Sequence, residues 1–408
     1  MTTPIQVILR PGKEIPILRF HPWVFSGAIA QINGQPEDGD IAEVLDKKGN
    51  LLGLGHFHHG SIAVRLLSFG PAQPETEAFW ADKLFDALRV RRATISALAH
   101  QNTSDESVAL PAFRLVHGEG DGLSGLVVDV YGHTAVIQCH SIGMHRQRTL
   151  IASAVKTVLG KNLLAVYDKS VESLPPKYGE AQENGYLWSA EKTPESTAVV
   201  VENGALFRVD WVSGQKTGFF LDQRDNRRLL TEFVAGKSVL NAFCYTGGFS
   251  CQALRAGAGL VHSVDVSPKA IALCNENVAL NAPYSGQHES YADDVLKFLK
   301  SSARPYEVMV VDPPAYAKSL DKRHNAVQGY KRLNAEAIRR VAPGGILFTF
   351  SCSQVVDRAL FYHTIAAAAM EVGRPVRVLH HLSQSADHPV SLFHPEGSYL
   401  KGLVLYVS

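Results

Sequence analysis

Short apolar runs and amphipathic segments alternate along the C-terminal part of the chain, from residue 187 to residue 408. Runs such as 238–243, 260–265 and 308–311 are rich in β-branched residues and end abruptly, as buried parallel strands do. Segments with helical spacing lie between these runs. The alternation of strand and helix predicts a doubly wound α/β sheet.

The first 71 residues show a different pattern, in which short strand-like runs are separated by turn signals. The runs lie at 5–9, 41–45, 51–57 and 61–67, and dipeptides such as Pro-Gly and Asn-Gly interrupt them. Several short strands at this spacing predict a small β-barrel.

Residues 72–186 mix both patterns. After a linker rich in Pro and Glu, apolar positions at helical spacing predict a helix from about residue 79 to residue 92. The helix ends in three basic residues, Arg89, Arg91 and Arg92. We interpret them as a basic last turn that complements the helix dipole, with phosphate contact as an alternative. A polar loop at 101–107 and a ββαββ-like arrangement follow. We therefore predict three domains, at 1–71, 72–186 and 187–408.

Composition excludes several classes of protein. With 46% hydrophobic and 19% charged residues, the 408-residue chain is typical of a globular protein. Its net charge of +1 provides no general attraction to nucleic acid, so an RNA-binding surface must be a local patch. The N-terminus has no apolar signal core, and no apolar run is long enough to span a membrane.

The cysteines are scattered, odd in number and without a C-x-x-C pair. This pattern argues against a disulfide scaffold or a zinc ribbon and favours a reducing compartment. We therefore expect a cytoplasmic protein with no membrane segment. The five positions are Cys139, Cys244, Cys251, Cys274 and Cys352.

One apolar strand in the α/β domain stops at an acid and two prolines. Residues 308–311 are Val-Met-Val-Val, and Asp312, Pro313 and Pro314 follow. Prolines cannot donate to a ladder, so the strand ends there. Open α/β sheets bind ligands at the carboxyl ends of their strands, which makes Asp312 a candidate site residue. With its aromatic residue, Tyr316, the loop resembles the substrate-base loop of S-adenosylmethionine (SAM) dependent methyltransferases.

A βαβ unit with a glycine turn precedes that loop. The strand at 238–243 leads into Cys-Tyr-Thr-Gly-Gly at 244–248, and the strand at 260–265 ends in Asp265. Glycines let the backbone approach a ligand, and the acid can accept hydrogen bonds from ribose hydroxyls. The G-x-G-x-x-G spacing of dinucleotide sites is absent. SAM has no phosphate and tolerates the weaker loop.

Two further polar positions extend this arrangement. Ser267 and Pro268 predict a helix start, as N-cap and first-turn proline. Asp293 and Asp294 follow a third strand, where an acid typically accepts from an adenine amino group. We assign Asp294 to adenine and consider a helix N-cap as the alternative for Asp293.

Cys352 follows the apolar run 344–350 at a point where another strand ends. A buried cysteine usually behaves as a small hydrophobe, and the other four cysteines fit that description. Serines flank Cys352, so a catalytic role fits it better. Cytosine C5 is not nucleophilic by itself. A thiolate that adds to C6 turns C5 into an enamine-like carbon that can attack a methyl donor. Asp312 could stabilise such an adduct, and Tyr316 could stack on an extruded base.

Two conspicuous polar clusters in the first third of the chain are more typical of structural elements than of active sites. His56, His58 and His59 alternate between strand faces, so at most two converge, and we expect a solvated rim and no metal site. The acid-glycine alternation at 119–122 is more typical of a turn than of an active site.

The N-terminal motifs resemble the PUA domain, an RNA-binding pseudo-barrel. They are His-Pro-Trp-Val-Phe-Ser-Gly-Ala-Ile at 21–29, Gly-Asp at 39–40 and Ile-Ala-Val-Arg at 62–65. The resemblance implies RNA contacts by Trp23 and Arg65. The alternative for Trp23 and its neighbour Phe25 is that both are core residues.

The α/β domain resembles one family, the RlmI-type 23S rRNA (cytosine-C5) methyltransferases. The matching segments are 216–224 (KTGFFLDQR), 240–250 (LNAFCYTGGFS), Asp-Pro-Pro at 312–314, Ser-Cys-Ser at 351–353 and the late segment 388–402. Together with the PUA-like start and the central insert, the resemblance spans nearly the whole chain.

The resemblance implies SAM-dependent methylation of cytosine C5 in large-subunit (23S) rRNA by a Rossmann-like domain. Cys352 would be the nucleophile, and Pro313, Pro314 and Tyr316 would contact the base beside Asp312. The wider class often has a second cysteine after this loop, but Ala315 holds that place here. A homodimer is left open. The implied cofactor-binding residues are Lys216, Phe219, Asp222, Arg224, Asn241, Phe243, Tyr245, Thr246, Gly247, Asp265, Ser267, Asp294 and Asp312.

Two other functions compete with this interpretation. An RNA amino- or guanine-N7-methyltransferase of related fold would use the loop at Asp312 without a cysteine. A non-catalytic RNA-binding or assembly factor would use only the PUA-like domain and would not bind SAM.

Overall fold

A computed structural model describes residues 4–95, 98, 110–302, 304–317 and 319–408. The polar loop predicted at 101–107 and Lys318 lie outside the described residues. The chain forms two compact units. The first comprises residues 1–198, 209–219 and 386–397, and the second comprises 199–208, 220–385 and 398–408. The predicted domain boundaries at 71 and 186 stay predictions.

The first unit begins with a six-stranded sheet that runs in the order β2-β6-β5-β4-β1-β3. Strands β1 and β4 pair in parallel, and the other neighbours pair antiparallel. Alternate residues such as Val7, Leu9 and Val44 are buried in a common core. The strands are β1 Ile5–Leu9, β2 Trp23–Phe25, β3 Ile29–Asn33, β4 Ile41–Leu45, β5 Leu51–Phe57 and β6 Ile62–Ser68.

A second sheet of five strands, in the order β11-β10-β9-β8-β7, completes this unit. Three strands precede the helical segment and two follow it, so the insert has one leading strand more than the predicted ββαββ order. Helices α2 and α4 pack against each other and share an apolar core with the sheet. The strands are β7 Ala112–His117, β8 Leu126–Tyr131, β9 Thr134–Cys139, β10 Ala165–Asp168 and β11 Gly185–Ser189; the helices are α1 Ile15–Leu18, α2 Glu77–Thr94, α3 Ile142–Arg146, α4 Arg148–Leu159 and α5 Pro176–Gly179.

Two polar clusters of the first unit have structural roles. Residues Gly118–Asp121 form a 3-10 helix that ends at Gly122, whose φ is +67°, so the predicted turn is confirmed. Arg91 lies in the last turn of α2, as predicted, and its side chain is fully buried and forms an ion pair with Asp121. It also donates to the carbonyl oxygen of Asp387 at 2.8 Å. A buried charge of this kind is stable only when it is paired.

The three histidines at the end of β5 and just after it, His56, His58 and His59, lie in two different settings, which the sequence pattern did not predict. His58 and His59 form ion pairs with Asp38, at 3.2 and 2.9 Å. His56 is buried, and its burial lowers the pKa of the imidazole to about 4. The predicted rim therefore comprises two of the three histidines.

The main sheet of the second unit has seven strands in the order β16-β15-β14-β17-β18-β20-β19. A two-stranded hairpin, β12 and β13, precedes it in the chain. Strands β14 to β18 pair in parallel, whereas β20 is antiparallel to both its neighbours. The predicted doubly wound sheet is confirmed. The strands are β12 Thr197–Glu202, β13 Ala205–Asp210, β14 Ser238–Ala242, β15 Leu260–Asp265, β16 Gln287–Ala292, β17 Tyr306–Val311, β18 Val341–Ser351, β19 Val376–Leu382 and β20 Lys401–Val407.

Helices connect these strands and cover the sheet. Among the described residues they are α6 Arg224–Leu230, α7 Gly248–Arg255, α8 Pro268–Leu280, α9 Val295–Ser301, α10 Arg323–Arg340 and α11 Arg358–Val372. None of the helices in the described ranges combines the length and apolarity needed to cross a membrane.

The strand order reverses between β14 and β17, and this reversal positions the site. Strand β14 leads outward to β15 and β16 on one side, whereas β17 leads to β18 on the other. Ala242 is the register partner of Val311, and Val311 is also paired with Thr349. The carboxyl ends of β14, β17 and β18 are therefore adjacent, in the place where open α/β sheets bind ligands.

Candidate active site

Asp312 lies directly after β17, where the two prolines end the strand as predicted. Its Oδ2 accepts a hydrogen bond from Nε2 of Gln223 at 2.9 Å. Burial, together with the nearby Asp222 carboxyl, raises the pKa of Asp312 to about 7, although Gln223 and Arg227 oppose that shift. A carboxyl with this pKa can be either a hydrogen-bond donor or an acceptor near neutral pH.

Cys352 lies directly after β18, on the strand next to Asp312. All five cysteines lie in the described part of the chain; the other four are buried, and Cys352 is partly exposed. Burial and the carboxyls of Asp312 and Asp222 raise the pKa of its thiol to about 11. Cys352 is therefore a partly accessible residue whose thiol is mainly protonated at neutral pH.

Hydrogen bonds tie the turn that carries Cys352 to the loop that carries Asp312. Oγ of Ser353 donates to the carbonyl oxygen of Ala317 at 2.7 Å. Nζ of Lys401 donates to the carbonyl oxygens of Ser353 and Val356, each at 2.6 Å. Burial lowers the pKa of Lys401 to about 8, and its charge favours the Cys352 thiolate.

Lys401 lies within the late matching segment 388–402, but the sequence did not predict a role for it. The sequence feature that could have identified it is a lysine at the first position of β20, directly before a run of apolar residues. Such a lysine would be costly to bury without partners, and here its amino group donates to two carbonyl oxygens.

The residues predicted to contact the base lie around the Asp312 loop. Pro313 is buried, whereas Pro314 is exposed. The ring of Tyr316 is 37% exposed and packs against the ring of Tyr330, with 4.7 Å between centroids. Tyr316 therefore presents a supported aromatic surface to solvent, which a base could use for stacking.

The loop after β14 has an unusual backbone. Phe243 and Tyr245 have positive φ angles of +62° and +46°, which non-glycine residues rarely adopt. Gly247 has a φ of +81°, and a Cβ atom there would lie 2.6 Å from Sγ of Cys274. Strained backbone of this kind is concentrated at functional sites, where the surrounding structure maintains it.

Asp265 anchors this loop from the end of β15. Its Oδ2 accepts from the amide of Tyr245 at 3.0 Å, and its Oδ1 accepts from the amide of Ser267 at 2.9 Å. An ionised carboxylate has about four acceptor positions, so two remain for other donors. Ser267 caps α8 by accepting from the amide of Ala270, and Pro268 follows it, so the predicted helix start is confirmed.

Two of the predicted cofactor-binding residues each have a buried oxygen atom without a hydrogen-bond partner among the described residues. These atoms are Oδ1 of Asp222 and Oγ1 of Thr246. The other carboxyl oxygen of Asp222 accepts from the hydroxyl of Tyr399 at 2.7 Å. Because an unpaired buried polar atom costs free energy, these oxygens indicate positions for ligand groups.

The other predicted cofactor residues lie in diverse settings. Asn241 is buried and donates to Oγ of Ser250 at 2.8 Å. Arg224 lies 3.8 Å from the carboxylate of Glu202. Lys216 and Phe219 belong to the first unit, where Phe219 is buried and its amide donates to the hydroxyl of Tyr131.

Asp294 is exposed and is the N-cap of α9, because its Oδ1 accepts from the amide of Lys297 at 2.8 Å. Asp293 instead accepts from the amide of Asp294 and pairs with the amino group of Lys297. The N-cap considered for Asp293 is therefore made by Asp294, and the adenine contact of Asp294 stays a prediction.

The residues that are present fit SAM. Asp265 offers acceptors for ribose hydroxyls, and Oδ1 of Asp222 offers an acceptor for an ammonium group. The absence of a G-x-G-x-x-G loop agrees with a ligand that carries no phosphate.

Trp23 and Arg65, the predicted RNA-binding residues, are register partners on β2 and β6. The indole Nε1 of Trp23 donates to the carboxyl of Glu119 at 3.0 Å, and burial lowers the pKa of Arg65. Phe25 is 47% exposed, so the alternative in which it is a core residue is wrong. The RNA contacts of Trp23 and Arg65 stay predictions.

Comparison with known proteins supplies the family. Residues 7–69 match the PUA-like domain family, and residues 180–385 match the S-adenosylmethionine-dependent methyltransferase family. A protein from Shewanella frigidimarina named Ribosomal RNA large subunit methyltransferase I is 39% identical over 409 residues, which are 99% of each chain. The protein of that name from Aeromonas hydrophila is 37% identical over 404 residues, or 98% of each chain. The chain belongs to the ribosomal RNA large subunit methyltransferase I family.

Members of the ribosomal RNA large subunit methyltransferase I family use SAM, and this cofactor was predicted from the loop sequence. A solved methyltransferase structure from Streptococcus mutans has a TM-score of 0.81 with this chain at 21% identity, and covers 98% of this chain and 100% of that one. A second structure with the same values contains S-adenosylhomocysteine. The predicted fold class, with a PUA-like start and a methyltransferase sheet, is confirmed.

Proposed function

We propose that the protein transfers a methyl group from SAM to C5 of a cytosine in large-subunit (23S) ribosomal RNA, with Cys352 as the nucleophile. One observation carries the proposal. Cys352 is a partly exposed residue at the carboxyl edge of the sheet, directly after the strand that neighbours the one ending just before Asp312. An amine methyltransferase has no need of a thiol in that place.

The choice of ribosomal RNA as substrate rests on the relatives. Their names specify the RNA of the large ribosomal subunit, and they match the chain over nearly its whole length. The PUA-like match at residues 7–69 supports an RNA substrate, because this domain resembles an RNA-binding pseudo-barrel.

The reaction begins when the Cys352 thiolate adds to C6 of the base and pushes an electron pair toward C5. SAM, when bound, supplies the electrophilic methyl group that C5 takes. A base then removes the C5 proton, and the electron pair expels the thiolate, which restores the aromatic ring and the enzyme. Ala315 carries no thiol, so Cys352 is the nucleophile in this scheme, and the Asp312 loop supplies contacts to the base and a proton donor.

Asp312 supplies the proton that addition requires. Nucleophilic attack at C6 is easier when N3 of the cytosine receives a proton or a strong hydrogen bond. Because the pKa of Asp312 is raised to about 7, a substantial fraction of the carboxyl is protonated at neutral pH and can donate to N3. After methyl transfer, the ionised carboxylate accepts from the exocyclic amine.

The direct test is methylation in vitro, followed by mass spectrometry of the nucleosides. We expect the purified protein to convert cytidine into 5-methylcytidine in 23S rRNA isolated from cells without the gene. Cys352→Ala should lose this activity and keep its affinity for SAM, because the thiol attacks only the base. Cys139→Ala, which alters a buried cysteine of β9, is the matched control. A methylated guanosine or adenosine would replace the proposal by an amino- or N7-methyltransferase.

A further inference from the structure

Three side chains from distant parts of the chain meet in the first unit. His21 precedes β2, His394 precedes the 3-10 helix Pro395–Gly397, and Glu396 lies within that helix. One nitrogen or oxygen atom from each lies within 4.8 Å of the other two. The carboxylate of Glu396 faces both rings, with 3.9 Å from its Oε1 to Nε2 of His21 and 3.8 Å from its Oε2 to Nε2 of His394.

His394 provides an independent indication that this cluster binds a ligand. The residue is 2% exposed, and neither ring nitrogen has a hydrogen-bond partner among the described residues. Buried polar nitrogens nearly always have a hydrogen-bond partner, because burial removes their bonds to water and an unpaired nitrogen then costs free energy. The ring therefore presents Nε2, a nitrogen without a hydrogen-bond partner, toward the carboxylate of Glu396.

The surroundings hold the two rings in place. The indole of Trp23 packs against the ring of His394, with 4.3 Å between centroids, and donates to Glu119 and Ser124. Nδ1 of His21 lies 3.3 Å from the carbonyl oxygen of Trp23 and 3.2 Å from its amide nitrogen. In the tautomer that donates from Nδ1 to the carbonyl oxygen, Nε2 of His21 has a free lone pair. A backbone carbonyl commonly orients a metal-binding histidine in this manner.

We propose that His21, His394 and Glu396 bind a divalent transition-metal ion of the Zn²⁺ type. Two imidazoles and one carboxylate are the ligand set of open zinc sites, in which water takes the fourth position. Magnesium and calcium prefer oxygen ligands and do not suit two imidazoles. Bond lengths of about 2.0–2.1 Å place tetrahedral ligand atoms about 3.3 Å apart, so the side chains close in by roughly 0.5–1.5 Å on binding.

Such an ion would act as a clip. It would fasten the start of β2, within the PUA-like region, to the segment 386–397 of the same unit. Because the ligands come from opposite ends of the chain, the sequence patterns contain no metal motif, and no metal site was predicted. The clip adds stability by mass action, since the ion binds the folded state.

The experiment is calorimetric titration of ZnCl₂ into the full-length protein after treatment with EDTA and dialysis. We expect one equivalent to bind, and Glu396→Gln and His394→Gln to weaken binding by about tenfold or more, because loss of even an outer-shell partner costs 10- to 100-fold. His324→Gln is the matched control, since His324 is an exposed histidine on α10. Zinc should raise the unfolding temperature of the wild type and of the control, and should raise that of the two ligand variants less.

Three outcomes would overturn the site. One is zinc affinity in Glu396→Gln equal to that of the wild type; this variant alters an exposed side chain and should fold normally. Another is a cobalt(II) complex with a thiolate charge-transfer band that disappears in Cys352→Ala, which would locate the metal at a cysteine. The third is the absence of zinc binding by the wild type.

Discussion

The thiol of Cys352 is the group whose chemistry depends most on its surroundings. Burial and two carboxyls raise its pKa to about 11, and the charge of Lys401 opposes that shift. At pH 7 only about one thiol in 10⁴ is ionised, by the difference between pH and pKa. A protonated Asp312, whose pKa is about 7, would compensate for this by activating the base. Catalysis therefore depends on the form of the enzyme in which the Asp312 carboxyl is protonated while the Cys352 thiol is ionised.

The pH dependence of kcat/KM should reveal this coupling. The reactive form needs a protonated Asp312 and an ionised Cys352. Below pH 7, Asp312 stays protonated and the thiolate fraction increases tenfold per pH unit. Between pH 7 and about 11 the gain in thiolate and the loss of protonated carboxyl cancel. We expect kcat/KM to rise up to about pH 7 and then level off, as measured with 23S rRNA and saturating SAM.

The control is Asp312→Asn, which cannot ionise. Its rate should fall by about 10²- to 10³-fold, within the usual range for loss of an acid-base group, and should keep rising beyond pH 7. If the wild-type rate continued to rise tenfold per unit from pH 7.5 to pH 9, Asp312 would not be the proton donor.

At the scale of elements, the sequence predicted the bounds of several strands but did not predict which distant residues pair with buried charged side chains. Strands 5–9, 41–45 and 260–265 have the predicted bounds, because their apolar runs are flanked by clear turn signals. The sequence placed Arg91 at the basic end of a helix but did not predict its buried ion pair with Asp121. Pairing of this kind depends on which distant segment covers the residue, and local periodicity carries no information about it.

The candidate site shows the same limit. Motif positions located Asp312 and Cys352 at neighbouring strand ends, since parallel strands align their carboxyl ends. The contribution of Lys401 was not predicted, because it requires an antiparallel strand to return beside β18. The partner of Asp222, Tyr399, also comes from that late segment.

The glycine loop gives a prediction about cofactor affinity. Gly247→Ala adds a methyl group 2.6 Å from Sγ of Cys274, at a φ of +81°. The loop must shift, so we expect the affinity for SAM to fall by about tenfold or more, which corresponds to about 1.4 kcal/mol. Gly257→Ala is the control, because its φ is +84° and no atom lies near the new Cβ. Equal losses of affinity in both variants, measured by calorimetry, would contradict the argument.

A buried ion pair gives a prediction about stability. Glu202, at the end of β12, accepts two hydrogen bonds from Arg227 of α6, at 2.6 and 2.7 Å. Its carbonyl oxygen also accepts from Gln252 of α7. Glu202→Gln leaves the arginine without its counter-charge, so the free energy of unfolding in urea should fall by about 3 kcal/mol. The exposed Glu232→Gln should change it by less than about 0.5 kcal/mol.

At the scale of the whole molecule, the chain combines two kinds of recognition. A PUA-like region and a methyltransferase region lie on one chain. The net charge of +1 gives little long-range attraction to RNA. Under the proposed function, selection of one cytosine in a large RNA would therefore come from local contacts, and the chemistry at that cytosine would come from Cys352.

The central claim is a covalent bond between Cys352 and cytosine C6, and trapping that adduct tests it most directly. In rRNA transcribed with 5-fluorocytidine, fluorine replaces the C5 proton and cannot leave as a cation, so the adduct persists after methyl transfer. We expect the wild-type protein and SAM to form a protein–RNA species that survives denaturing electrophoresis, and Cys352→Ala to form none. Methylation of ordinary rRNA by Cys352→Ala at a near-normal rate, with no trapped species in the wild type, would contradict the account.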